Sequence, residues 1–220
     1  MADDTVALYR RDLSVTPAQL EEQLQYLRSA GYTSISLREL TLALQMGYAL
    51  PDKPVVLTFD DGYVDAYEHA MPLLLRYGFR GAFFVITSMA DAAHPAYLSW
   101  EQIVEMHAAG MDMQAHCYSH VDLRGRDVDY LVWQVLGSKE AIEERTGTPV
   151  RFFCYPSGKY DALAIEVLDS GGYWAAVTVD NGWEHSSGHL YELERLRIHN
   201  YTDLSRLQRA LEGLGEGEDS

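Results

Sequence analysis

The stretch PVVLTFDDG, residues 54–62, decides the fold of this chain. Three consecutive apolar residues follow its proline, a pattern typical of a strand buried in a parallel sheet. Asp60 and Asp61 stand where that strand should end, and a helical pattern follows them. In α/β folds, ligands bind and reactions occur at the carboxyl ends of the strands. The two aspartates are therefore predicted to lie at a functional site.

Two adjacent carboxylates repel each other and are costly to bury unless a positive charge compensates them. A divalent cation would do so, because one carboxylate can then act as a ligand while the other stays free as a base. The alternative is an ordinary loop in which one aspartate caps the following helix.

Strand-like and helix-like patterns alternate along the rest of the chain. The strand patterns cover residues 33–37, 54–62, 82–86, 111–115, 150–155, 174–179 and 193–198. Helical patterns cover residues 17–31, 38–47, 64–77, 99–110, 127–146, 161–171 and 204–211. This alternation predicts a parallel sheet, and seven strands favour a barrel short of the usual eight. We expect one α/β domain over residues 16–211, preceded by an N-terminal segment, 1–15, and followed by a disordered acidic tail, 212–220.

The charge balance limits the kinds of partner. The chain has 220 residues, with 17 basic and 33 acidic side chains and a formal net charge of −16. That charge disfavours nucleic acid and anionic membrane surfaces as partners. No run resembles a signal peptide or a membrane span, which taken literally predicts a cytoplasmic protein. The two cysteines, Cys117 and Cys154, are too few for a disulfide framework and are expected to be free and buried.

Two histidines follow the fourth strand pattern, in the sequence HCYSH at residues 116–120. If this segment coils into a turn, His116 and His120 can face one ion, and neutral imidazole is a common zinc ligand. Together with Asp61 they would form a set of two nitrogens and one oxygen that leaves one coordination position open. Asp60 would then remain as a base beside that position, where a metal can bring the pKa of water to about 7.

Two further segments end at the same predicted edge of the sheet. In RFFCYPSGKY, residues 151–160, a tight turn at Ser157 can point backbone N–H groups at an oxyanion. Arg151 either pairs with Asp60 or is a surface charge at the start of a strand. His199 follows the last strand pattern and is a candidate general acid.

These residues resemble the motifs of the polysaccharide deacetylases of carbohydrate esterase family four, which share a NodB-like domain. The motif T-F-D-D-G is present at residues 58–62, H-[ST]-x-x-H is matched at 116–120 with Cys117 in the second position, and Y-P-x-G-x-Y is present at 155–160. The resemblance covers residues 16–211. It implies a distorted (β/α)7 barrel and a divalent metal, usually zinc, with cobalt or nickel also accepted.

The resemblance also implies roles for individual residues. Asp60 would be the general base, the Ser157 N–H would serve the oxyanion, and a histidine near the last strand would be the acid. The metal ligands would be Asp61, His116 and His120.

Several positions depart from the family pattern. Cys117 lacks the hydroxyl that usually steadies the metal loop, and Ser157 stands where tyrosine is common. Arg151 lies further from the proline than the usual arginine does, and Asp180 is the only match to the aspartate that orients the acid. An apolar strand that commonly precedes residue 16 is missing, which suggests a trimmed N-terminus and a secreted or cell-envelope origin.

The resemblance implies hydrolysis of N-acetyl groups on a glycan that contains N-acetylglucosamine, such as a chitin oligomer, peptidoglycan or poly-N-acetylglucosamine. Tyr118, Tyr160 and Trp183 are candidates for stacking on sugar rings. Three alternatives remain open: an O-acetyl xylan esterase with the same metal site, a catalytically silent glycan-binding or structural domain, and a metal-independent amide or imide hydrolase. The sequence leaves the oligomeric state open.

Overall fold

Side-chain caps set where several helices begin. In this computed structural model, which describes residues 12–213, Thr16 and Ser99 each accept a hydrogen bond from the backbone N–H of a glutamine three residues later. The side-chain oxygen of each glutamine accepts a hydrogen bond from the backbone N–H of its cap residue, which completes a capping box. Both boxes were predicted from the sequence and are confirmed. A third box, between Ser36 and Glu39, was not predicted.

Helices and strands alternate along the chain. The α-helices are α1 Pro17–Ser29, α2 Leu37–Met46, α3 Met71–Tyr77, α4 Thr87–Asp91, α5 Trp100–Ala108, α6 Val128–Thr146, α7 Ala162–Ser170 and α8 Leu204–Leu211. A π-helical turn, Ala66–Ala70, precedes α3, and 3₁₀ turns form at Pro156–Gly158 and Leu190–Glu192. The strands are β1 Thr33–Ser34, β2 Pro54–Val55, β3 Thr58–Phe59, β4 Ala82–Val85, β5 Asp112–Ala115, β6 Phe152–Cys154 and β7 Ala175–Val177.

All strand pairs are parallel. Strands β3 to β7 form one sheet in chain order, and β1 pairs with β2 in a separate two-stranded sheet. The five-stranded sheet curls into a half-barrel covered by helices. The α/β fold class and the distorted, incomplete barrel are therefore confirmed.

The five-stranded sheet is buried on both faces. Alternate residues such as Phe83 and Phe153 join the larger apolar cluster with the helices, whereas Phe84, Phe152 and Val177 join a smaller cluster on the other face. This two-sided burial explains why the strands read as continuous apolar runs. Because all strands are parallel, their carboxyl ends meet at one edge, where the loops carry the candidate site residues.

Two strand predictions need correction. The stretch 54–62 contains two short strands, β2 and β3, in different sheets. Residues 193–198, predicted as a strand, contribute a single parallel bridge between Leu193 and Val177. The ladder is interrupted at Thr178, whose hydroxyl accepts a hydrogen bond from the backbone N–H of Asp180. Pairing resumes beyond this point, where the Arg195 N–H donates to the Asp180 carbonyl at 2.9 Å.

The limits predicted for the domain stay a prediction. Residues 1–11 of the N-terminal segment and 214–220 of the acidic tail lie outside the described residues. Within residues 12–213, none of the helices combines the length and the apolar character that a membrane crossing requires.

We expect Asp127→Ala to lower the free energy of unfolding by about 1 kcal/mol, because Asp127 caps α6. Its side chain accepts the backbone N–H of Tyr130 at 2.8 Å. Urea denaturation at neutral pH measures the change, with an unchanged m-value. Glu140→Ala, on an exposed position of the same helix, is the control. Equal losses in the two variants would contradict the capping role.

Candidate active site

Three loops at the carboxyl edge of the sheet contain a residue in the left-handed backbone region. Asp61 after β3, Cys117 after β5 and Ser157 after β6 have φ values of 69°, 65° and 54°. Such conformations cost non-glycine residues about 1 kcal/mol or more and concentrate at functional sites. Ala93 is the only other described non-glycine residue with positive φ. The backbone is therefore strained where the motifs lie.

Asp61, His116 and His120 come together at this edge. Their potential ligand atoms all lie within 4.8 Å of one another. The Asp61 Oδ1 atom is 3.2 Å from His116 Nε2 and 3.6 Å from His120 Nε2. His116 is buried, whereas the His120 side chain is 37% exposed, so the group opens to solvent on the His120 side. The predicted grouping is observed, and its binding of a metal stays a prediction.

The donor set suits a divalent cation. His116 Nδ1 lies 2.6 Å from the carbonyl oxygen of Cys154, which requires the proton on Nδ1. In the neutral ring, Nε2 then directs a lone pair at the Asp61 carboxylate, and two such groups repel unless a proton or a cation lies between them. Two imidazole nitrogens and one carboxylate oxygen are also the ligand set of several catalytic zinc sites. The residues therefore fit the metal that the resemblance implies.

The two histidines have opposite pKa shifts. Burial alone lowers the pKa of His116, but its contacts with Cys154 and Asp61 outweigh burial and raise that pKa well above its ordinary value. Burial and the neighbouring His116 lower the pKa of His120. The surroundings of His116 therefore favour a positive charge on or beside its ring, whereas those of His120 favour the neutral ring that can coordinate a metal.

Asp60 is held by an arginine that was not predicted. Arg195 donates from both Nη atoms to the two carboxylate oxygens of Asp60, each at 2.8 Å. The same guanidinium donates to the Thr58 hydroxyl, the Thr178 carbonyl and the Cys154 sulfur. Burial by itself would raise the pKa of Asp60, but Arg195 outweighs it and lowers that pKa to about 2. Asp60 is therefore ionised throughout the neutral range.

The predicted pairing of Arg151 with Asp60 is wrong. Arg151 precedes β6 and donates to the carbonyl oxygen of Gly172 at 2.8 Å, and its guanidinium lies over the Trp174 ring. Asp60 follows β3, so Arg151 lies at the amino end of the parallel strands and Asp60 at their carboxyl end. One sequence signal could have indicated Arg195. It stands two residues after Leu193 in a strand-like pattern, and residues two apart in a strand point to the same face, so Arg195 should point to the same side as the apolar Leu193.

The Ser157 turn has the predicted form. The N–H groups of Gly158 and Lys159 donate back to the carbonyls of Tyr155 and Pro156, so the turn itself does not use the Ser157 N–H. Tyr155 stacks on Tyr160 at 4.2 Å beneath this turn. A role of the Ser157 N–H toward an oxyanion stays a prediction.

His199 does not contact the three grouped side chains. Its ring stacks on Tyr201 at 4.8 Å, and its backbone N–H donates to the Thr202 hydroxyl. Asp180, the match to the orienting aspartate, instead lines a separate polar cleft of about 340 Å³ together with Tyr160. Within the described residues, no contact joins Asp180 to His199. The acid role of His199 stays a prediction.

The cysteines and an aromatic group complete the surroundings. Cys117 and Cys154 are free and buried, as expected. Tyr118, which lies between the two histidines in the chain, contacts the ring of Trp133 at 4.9 Å. Trp133 also contacts Tyr130 and is 50% exposed. We call Tyr118, Tyr130 and Trp133 the aromatic surface.

The fold and site define an α/β half-barrel with an Asp-His-His group at the carboxyl ends of its strands. The family model for polysaccharide deacetylases matches residues 47–176, which is more than half of the chain. The chain therefore belongs to the polysaccharide deacetylase family, as the motifs predicted.

Individual relatives agree with this assignment. Over 186 residues, the chain is 28% identical to the Bacillus subtilis (strain 168) protein YxkH, whose name places it among the polysaccharide deacetylases, covering 84% of this chain and 66% of YxkH. It is 23% identical to the Escherichia coli (strain K12) poly-β-1,6-N-acetyl-D-glucosamine N-deacetylase, covering 92% of this chain and 36% of that protein.

A solved structure has the same fold. The Streptococcus pyogenes deacetylase PplD, in complex with acetate, superposes with a TM-score of 0.88 at 28% identity. The match covers 96% of this chain and 92% of PplD.

We expect Arg195→Gln to raise the pKa of Asp60 from about 2, because the variant removes the compensating charge. Since this pKa lies below the ordinary aspartate value of 3.8, the ion pair stabilises the folded state above about pH 4 and stops doing so as the pH falls through about 2. An NMR titration of the Asp60 carboxyl in metal-free protein, assigned with Asp60→Asn, measures the pKa. Arg151→Gln is the matched control. An equal shift of the Asp60 pKa in that variant would support the predicted pairing of Arg151 with Asp60 after all.

Proposed function

We propose that the protein is a metal-dependent deacetylase that removes N-acetyl groups from a glycan containing N-acetylglucosamine and releases acetate. One observation carries the proposal: Asp61, His116 and His120 form a group that suits a cation, while the adjacent Asp60 is kept ionised by a different positive charge. The two adjacent carboxylates thus have different roles: Asp61 is available as a metal ligand and Asp60 as a base.

Asp61, His116 and His120 would hold the cation, most simply Zn²⁺, with Co²⁺ or Ni²⁺ as substitutes. When bound, such a cation polarises the acetyl carbonyl and makes water acidic enough to lose a proton near neutral pH. The Cys154 carbonyl fixes the tautomer of His116 and directs its Nε2 toward Asp61.

Asp60 would accept the proton from the attacking water. Arg195 uses one lone-pair direction on each carboxylate oxygen, which leaves others for a substrate or water proton. The Ser157 N–H would donate to the carbonyl oxygen as it becomes negative. His199 would protonate the departing nitrogen, provided that substrate binding brings it to the site. Amide cleavage needs this step because an unprotonated amine leaves poorly.

The comparisons support a glycan substrate. The Escherichia coli relative is named for poly-β-1,6-N-acetyl-D-glucosamine, and PplD was solved with acetate, the acid that deacetylation releases. The chain spans 66% of YxkH and about a third of the Escherichia coli protein, so we propose the substrate class and not one polymer. As the family resemblance implies, we place the activity in the cell envelope or outside the cell.

The aromatic surface supports the same substrate class. An exposed Trp133 beside Tyr118 offers a flat apolar face, and Tyr118 is two residues from each histidine of the group. Consecutive Cα atoms are about 3.8 Å apart, so the Tyr118 Cα lies within about 7.6 Å of either histidine Cα. A sugar neighbouring the reacting one would therefore lie within reach of these rings.

We expect acetate release from an N-acetylglucosamine oligomer to stop on chelation and to return when Zn²⁺ or Co²⁺ is restored. Asp60→Asn should lower kcat by at least about 100-fold while bound metal stays stoichiometric, because the base is lost and the ligands remain. His120→Ala should lower metal content and activity together. Metal analysis and an acetate assay read the two effects.

Other outcomes of this experiment would redirect the proposal. Full turnover in Asp60→Asn would remove the base assignment. Stoichiometric metal with acetate release only from O-acetylated xylan would favour the esterase. Oligomer binding with neither metal nor turnover would favour a glycan-binding domain. Turnover that persists without metal would favour a metal-independent amide hydrolase.

We expect Trp133→Ala to raise KM for a long oligomer by about 3- to 10-fold with little change in kcat, because a stacking contact is lost away from the reacting bond. Steady-state kinetics on a monomer and an oligomer separate the effects, and the monomer should be unaffected. Tyr48→Ala, which removes an exposed ring at another position, is the control. A loss confined to kcat would contradict the proposed contact.

A further inference from the structure

The loop that carries His120 lacks the hydroxyl that its motif usually provides. Cys117 is fully buried, belongs to the larger apolar cluster, and has a left-handed backbone conformation. Among the hydrogen bonds of residues 12–213, none uses its thiol. The side chain at this position therefore packs in the core and does not tie the loop to the site.

A buried amide on α6 contacts the loop instead. Gln134 is 0% exposed, and its Oε1 accepts the backbone N–H of Ser119 at 2.9 Å. Its Nε2 donates to the Ser119 hydroxyl at 2.9 Å, and its backbone carbonyl accepts the N–H of Tyr118 at 2.9 Å. One residue thus binds two consecutive loop residues, the second of which immediately precedes His120.

The two histidines are fixed in different ways. His116 continues β5, donates its backbone N–H to Val85, and has its ring tied to the Cys154 carbonyl. His120 belongs to no strand or helix, and its side chain is partly exposed. Its placement relative to Asp61 therefore depends on the residues just before it.

The opposite side of the loop is held at the start of α4. The backbone N–H of Ser88 donates to the Tyr118 carbonyl at 2.8 Å, and that of Thr87 donates to the Cys117 carbonyl at 3.4 Å. These contacts end at Tyr118, whereas those of Gln134 extend to Ser119. Gln134 is thus the contact that lies nearest to His120 along the chain.

We infer that Gln134 is a positioning residue for His120, which it holds in place through Ser119. The inference rests on the proposed metal site, because it concerns how that site is kept in shape. A buried amide that makes these contacts is costly to replace with an apolar group, since the Ser119 N–H then loses its partner.

The chain supplies a matched control in Gln114. This second buried glutamine is 3% exposed, and its Oε1 accepts the backbone N–H groups of Arg151 and Phe152 at 3.0 and 2.9 Å. Gln114 ties β5 to the start of β6, and its hydrogen bonds reach neither His120 nor the two residues before it. Replacing either glutamine with methionine removes comparable backbone contacts, but only one replacement concerns His120.

The experiment measures Zn²⁺ affinity by competition with a chromophoric chelator, alongside urea stability of the metal-free proteins. We expect Gln134→Met to weaken Zn²⁺ binding by about 10-fold, the lower end of the loss caused by replacing a direct partner of a metal ligand, because Gln134 acts on His120 through Ser119. Gln114→Met should lower stability and leave Zn²⁺ affinity within about twofold. Gln134→Glu keeps an acceptor for the Ser119 N–H and should retain most of the affinity.

A Co²⁺ absorption spectrum is the second readout, because it reports ligand geometry independently of turnover. We expect it to change in Gln134→Met and to remain the same in Gln114→Met. If Gln134→Met does not fold, Ser119→Ala removes the hydroxyl contact and should weaken Zn²⁺ binding by a smaller factor, about 2- to 5-fold.

The outcomes separate the two levels of the proposal. Equal Zn²⁺ affinities of the wild type and both Gln134 variants would overturn the role of Gln134 and leave the metal site intact. Equal losses in Gln134→Met and Gln114→Met would show a general effect of stability and also overturn it. Absence of Zn²⁺ binding by the wild type would overturn the metal site itself.

Discussion

The site depends on the two-bond ion pair between Arg195 and Asp60, which compensates one of two neighbouring aspartates and leaves the other, Asp61, to face two histidines. Arg195 binds both oxygens of Asp60, and the grouped histidines face Asp61. Arg195 lies just after the segment bridged to β7, whereas Asp60 follows β3, so the ion pair joins opposite edges of the five-stranded sheet. The ion pair that keeps Asp60 ionised therefore also links the two ends of the curled sheet, beside β3 and beside β7.

The loops at this edge are shaped by contacts behind the functional side chains. Asp61, Cys117 and Ser157 adopt a backbone conformation that is unfavourable for their residue types, and the surrounding structure must stabilise it. For the loop that contains Cys117, the stabilising contacts come from the start of α4 and from Gln134 on α6. An isolated peptide of the HCYSH sequence would lack all of these contacts.

Much of the fold could be predicted because its signals are local. Capping boxes at Thr16 and Ser99 and apolar runs in β4 and β6 depend on neighbouring residues alone. The prediction was wrong at 193–198, where a strand-like pattern forms one bridge because the partner segment bulges at Thr178 and interrupts the ladder. The split of 54–62 between two sheets was also missed, since the apolar run does not show which strand each of its halves pairs with.

The sequence by itself determined the family through its three motifs and the α/β class through its alternating strand and helix patterns. It also indicated the grouping of Asp61, His116 and His120, because residues that follow neighbouring parallel strands lie at the same end of the sheet. Only the tertiary structure decided that Arg195 pairs with Asp60, that Arg151 does not, and that Gln134 holds the loop before His120. The physical reason is distance along the chain: Arg195 and Asp60 are 135 residues apart, and their contact depends on how the whole sheet curls. No local pattern contains that information.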